Sequence, residues 1–81
     1  MKRSTPPNAR LLSAVDASRL NLDECDGSVV PMIGDLVVVD QGFTSPSGEA
    51  MRMVFCLDAD GATRWAADLF EAELDPLRLR R

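Results

Sequence analysis

Apolar positions are spaced unevenly along the chain, and the change in spacing marks its organisation. Residues 1 to about 9 carry adjacent prolines, Pro6 and Pro7, and no apolar period, which predicts a flexible leader. Leu11, Leu12, Val15 and Arg19 have helical spacing behind Asn8 as a cap, whereas Leu20 and Leu22 alternate as in a strand. Helix is the preferred reading for 10–19. Asn21 to Gly27, with three acids, an asparagine and a glycine, reads as a loop.

From Val29 onward the pattern is β. Gly34-Asp35 introduces Leu36-Val37-Val38-Val39, a β-branched run closed by Asp40-Gln41-Gly42, which predicts a strand of about five residues. Both faces of that run are apolar, so it is either central in a small barrel or shared with another subunit. Phe43 to Glu49 holds Ser45, Pro46, Ser47 and Gly48 and predicts an exposed connection. In Ala50 to Leu57, Met51, Met53, Phe55 and Leu57 share one face at period two, and that face is expected to be the core side; the alternative for Met51, Met53 and Phe55, with Trp65 and Leu69, is an adaptable apolar surface that binds a partner. Asp58-Ala59-Asp60-Gly61 predicts a hairpin turn. Thr63, Trp65, Ala67 and Leu69 then line the inner face of the returning strand, with the tryptophan against the methionine face. Ala67 to Leu74 is rich in helix formers and stops at Pro76, consistent with a short helical turn or an irregular closing strand.

The expected architecture is mainly β: a small SH3-like barrel or strongly bent antiparallel meander. Its parts are a flexible or partly helical N-terminal arm over 1–28, a barrel over 29–77 and a basic tail over 78–81. Residues 33 to 77 resemble the small SH3-like barrels of the KOW and Tudor type, and many uncharacterised short bacterial proteins with the same layout. The resemblance is carried by Ile33-Gly34-Asp35-Leu36-Val37, Met53-Val54, the Asp58-to-Gly61 turn, Trp65 and the closing Glu73-Leu74-Asp75-Pro76-Leu77. It implies a fold more than a function, since such barrels serve as ribosome and polymerase adaptors, peptide binders and enzyme subunits. A Tudor-like aromatic cage would have Phe43, Phe55, Trp65 and Phe70 to draw on, and no tyrosine.

With 81 residues there is room for one domain with a thin core, which a partner or a second copy would help to stabilise. The longest uncharged apolar stretch, Val29 to Gly34, is far below the roughly 20 residues of a membrane span. Arg10 and Asp16 interrupt the apolar run that a signal peptide would need, so the expected compartment is the cytoplasm. In that reducing setting Cys25 and Cys56 are expected to be free thiols.

The net charge of −4 is unevenly spread. Residues 11–77 hold all thirteen acids and only Arg19, Arg52 and Arg64, a net of −10, while six cations lie in the two tails. Such a body disfavours direct nucleic-acid binding, which depends on several Lys or Arg contacting phosphates. The chain has no histidine, so catalysis would rest on carboxylates or thiols. Cys25 sits among Asp23, Glu24 and Asp26, which oppose thiolate formation, and Cys56 has no base near it in sequence. Asp58 and Asp60 beside Gly61 fit a hairpin turn rather than an EF-hand, because Gly61 at the sixth position would put Cys56 first and Ala67 twelfth. Neither zinc-type cysteine spacing nor a glycine-rich phosphate loop is present.

The expected function is a non-enzymatic protein-interaction or accessory module without cofactor, metal or catalytic residues, binding a protein partner or a second copy through Val37, Val39, Phe43, Trp65 and Phe70. The alternative is an acidic, inhibitor-like protein that occupies a basic nucleic-acid-binding surface on a partner.

Overall fold

A computed structural model describes residues 6–77. The protein is mainly β. Three strands, β2 (Leu36–Thr44), β3 (Ala50–Leu57) and β4 (Thr63–Phe70), form an antiparallel meander. Both of its turns close on a glycine in the left-handed region. In the first the Gly48 N–H donates to Ser45 O, and in the second the Gly61 N–H donates to Asp58 O, with φ of 89° and 83°. Only glycine adopts such φ without steric cost, which is why Ser-x-x-Gly and Asp-x-x-Gly set these hairpins. Asp58 Oδ1 also accepts from the N–H groups of Asp60 and Ala62, at 2.8 and 3.0 Å. Its carboxylate thus holds the turn, as the hairpin reading expects.

β2 does not stop at Asp40-Gln41-Gly42. It runs on to Thr44 through a bulge between Val39 and Gly42. At Gly42 a Cβ would lie 3.2 Å from the Arg52 guanidinium, so a larger residue there would require the Arg52 side chain to shift.

The helix expected over 10–19 does not form. Ala9–Leu11 is instead a strand, β1, inserted between β2 and the final strand β5 (Leu74–Pro76), giving the order β4-β3-β2-β1-β5. Ala9 pairs with both Val37 and Pro76. The burial pattern at 9–11 is in, out, in, so sheet pairing overrides a local helical spacing that extends over little more than two turns. The only helical part of that stretch is a 3-10 turn at Ala17–Arg19, capped by Asp16, whose Oδ1 accepts from the Ser18 N–H. Leu11, Val15 and Leu20 all reach the core, so this part of the expected arm is structural. A second 3-10 turn, Glu71–Glu73, joins β4 to β5.

One face of the sheet, the inner face, carries the core cluster, which includes Leu11, Val37, Val54, Trp65, Leu69 and Leu74. The expected orientation of β3 is reversed. Val54, opposite Val39 and Ala67, and Cys56, opposite Trp65, are the inward residues, whereas Met51, Met53 and Leu57 are half-buried on the other side. Trp65 therefore packs against Val54 and Cys56 in the core rather than against a methionine face. Phe55 is buried on the outer side, in a row with Val38 and Ala66. Both faces of β3 are apolar, and the decision falls to the N-terminal segment, which covers the Val54 side. Among the described residues no helix is long and apolar enough to cross a membrane.

Candidate functional site

The outer face of β2–β3–β4 departs from the pattern expected of a half-buried sheet. In a sheet with one buried face, the other ordinarily alternates to polar residues. Here it does not. Phe43 on β2 lies opposite Met51 on β3, and Met51 lies opposite Phe70 on β4, so one apolar row crosses all three strands. Phe43 is 42% exposed, and Met51 and Phe70 are half-buried. Next along β3, Met53 faces Asp68, followed by the Val38–Phe55–Ala66 row and then Leu57. Leu36, 45% exposed, stands two residues before Val38 and so on the same face.

Two polar groups border this surface. The Arg19 guanidinium lies over the Phe70 ring, 5.4 Å from its centroid, within cation–π range. Its charge is already met by Glu73, at 2.8 Å from each of two nitrogens, and this bond raises the Arg19 pKa while holding the Glu73 carboxyl below the ordinary glutamate range. Asp68 has one carboxylate oxygen, Oδ1, buried without a hydrogen-bond donor. The same residue lines a shallow groove of about 510 Å³ together with Arg19, Leu20, Asn21, Leu22 and Asp23.

A second concavity, of about 320 Å³, opens on the inner side between β1, β5 and the bulged part of β2, where Asn8, Val39, Arg52, Glu71 and Leu74 meet. Its polar groups are engaged within the protein. The Arg52 Nε–H donates to Glu71 Oε2 at 2.9 Å, and Asn8 Oδ1 accepts from the Val39 N–H at 2.8 Å.

The residues expected to bind a partner are thus divided. Phe43 and Phe70 share the outer row; Val39 lines the inner concavity; Val37 and Trp65, 1% and 0% exposed, belong to the core and present no surface. The four aromatics form no common cage, because Trp65 lies inward while Phe43, Phe55 and Phe70 belong to the outer face. Met51 and Met53 are half-buried on the outer side, where sequence reasoning preferred the core. The available signal was the absence of any polar face on β3.

Both cysteines and Asp35 are engaged within the fold. Burial, with Asp35 nearby, pushes the Cys56 pKa up against the weaker opposing influence of Arg64, so this thiol stays protonated. Cys25 Sγ donates to Asn21 O at 3.3 Å, and neither cysteine is in a disulfide. Asp35 Oδ2 accepts from Trp65 Nε1 and from the Met32 N–H, both at 3.0 Å. Among the described residues no three His, Cys, Asp or Glu side chains are grouped to hold a metal ion. The chain matches no protein-family model, no curated protein and no solved structure.

Proposed function

We propose that this chain is a non-enzymatic protein-interaction module that docks a partner protein on the outer face of β2–β3–β4. The observation that carries the reading is the Phe43–Met51–Phe70 row, apolar across three strands on the face opposite the core, with Phe43 exposed and Met51 and Phe70 half-buried. Soluble proteins seldom leave a contiguous apolar surface of this kind unless something covers it. Methionine and phenylalanine suit such a role, since a flexible thioether adapts its shape and an aromatic ring buries a large area at low entropic cost. The strand order, with β1 between β2 and β5, supports an SH3-like layout for the scaffold.

The test is quantitative partner capture from cell lysate by the wild-type chain and by Phe43→Ser, with the buried Trp65 emission as the check on folding. Loss of the captured partner with unchanged emission is expected. Equal capture by both proteins would contradict the reading. Salt separates the acidic-mimic alternative: capture held by carboxylates alone falls steeply with ionic strength and survives Phe43→Ser.

A further inference from the structure

Resting on the interaction-module reading, we infer that the outer face receives a basic amphipathic helix of a partner protein, with an apolar stripe on Met51, Met53 and Phe70 and a Lys or Arg opposite Asp68.

Three observations select this occupant. The apolar surface is a sheet face, and a sheet face offers no backbone N–H or C=O groups, since these lie in the plane of the sheet and are used between strands. A segment lying on it must satisfy its own backbone hydrogen bonds, which a helix does and an isolated extended peptide does not. The occupant is therefore a helix or another sheet. Charge disfavours the second sheet that is nearest to hand, that of another copy. Residues 6–77 carry thirteen carboxylates against four arginines, a net of −9, and Arg19 and Arg52 are already paired with Glu73 and Glu71. Two copies, each with a net charge of −4 over the full chain, repel, whereas a cationic segment is attracted.

Asp68 fixes where the cation falls. It lies beside Met53 within the apolar face, one of its oxygens is buried without a donor, and its carboxylate borders a groove. A carboxylate flanked by methionine and phenylalanine is poorly solvated, so a cation brought alongside it gains more than one at an open surface. The acids Glu49 and Asp58 stand immediately before and after β3, whose outer side presents the half-buried Met51, Met53 and Leu57, with Phe55 between them buried. From Met51 to Leu57 the strand spans three two-residue steps, roughly 20 Å. A helix of the same length has about 13 residues, or between three and four turns.

The experiment uses the full chain labelled at its methionine methyl groups and a designed 14-residue Leu/Lys peptide whose leucines follow helical spacing. Controls are the same peptide with glutamate in place of lysine, and a Leu/Lys peptide of scrambled order. Met32, 68% exposed in the turn before β2, reports non-specific adhesion. Saturable shifts at Met51 and Met53 with none at Met32 are expected, together with affinity at least tenfold above the glutamate peptide and a severalfold loss in Asp68→Asn. Absence of saturable shifts at Met51 and Met53, equal affinity for the glutamate or scrambled peptide, or shifts that follow protein concentration without peptide would each overturn the inference, the last by showing a second copy on the face. Failure of the peptide while Phe43→Ser still abolishes partner capture removes the helix and leaves the module reading standing. Capture indifferent to Phe43→Ser removes that reading itself.

Discussion

Arg19 and Glu73, fifty-four positions apart, meet in a two-point ion pair, with Nη1–Oε2 and Nη2–Oε1 both 2.8 Å. The same carboxylate accepts from the Phe70 N–H at 2.9 Å and from Ser13 Oγ at 3.2 Å. One glutamate thus joins the N-terminal segment to the crossover from β4 to β5. Glu73→Ala leaves these donors without their acceptor in a site where the glutamate side chain is only 15% exposed. A loss of about 2 kcal/mol is expected from charge-assisted bonds of this kind, read from urea unfolding. Arg52→Ala is the matched control: its pair with Glu71 is 41% and 52% exposed and should contribute under about 1 kcal/mol.

The same pair sets a pH dependence. Arg19 holds the Glu73 carboxyl below its ordinary value in the folded state, so the unfolded chain takes up the proton first on acidification. The stabilisation is present above the unfolded glutamate pKa of about 4.3 and is lost as pH falls through the folded value. Thermal unfolding at pH 6 and at pH 3 should therefore show a smaller acid-induced drop in Glu73→Gln than in the wild type. Equal drops would remove Glu73 from the acid response.

The strand pattern from Leu36 to Phe70 and the Asp58–Gly61 hairpin were legible in the sequence because β-branched runs and Asx-Gly turns act locally. β1 was not. Ala9-Arg10-Leu11 is too short to show a period, and its pairing with Val37 and Pro76 depends on residues far along the chain. The face of β3 was undetermined for a related reason: Met51-Arg52-Met53-Val54-Phe55-Cys56 has apolar residues on both sides, and the placement of Leu11, Val15 and Leu20 decides which side joins the main core cluster. The candidate site was therefore only the second reading of Met51 and Met53, which are half-buried on the outer side rather than in the core. Phe43 and Phe70, two of the residues expected to bind a partner, do lie in one row on either side of Met51.

Trp65 is fully buried and its Nε1–H donates to Asp35 Oδ2. Asp35→Ala should cost about 2 kcal/mol, because a buried indole N–H without an acceptor retains its desolvation penalty. Asp35→Asn keeps an acceptor oxygen and should recover much of that loss in the same unfolding measurement.

The two thiols should separate in reactivity. Cys56 is buried with a raised pKa, and Cys25 is half-buried. A disulfide-exchange reagent should label Cys25 first and Cys56 only at the rate of unfolding, so that Cys56 labelling accelerates in urea while Cys25 labelling changes less. Simultaneous labelling in native buffer would contradict the buried position of Cys56.

The most direct test compares two radical substitutions at surface methionines, Met51→Glu on the outer row and Met32→Glu in the turn before β2, in one partner-capture assay with folding checked by Trp65 emission. If the outer face is the docking surface, Met51→Glu loses the partner at least tenfold while Met32→Glu captures as the wild type does. Capture preserved in Met51→Glu, or lost equally in both folded proteins, would contradict a docking role for this face.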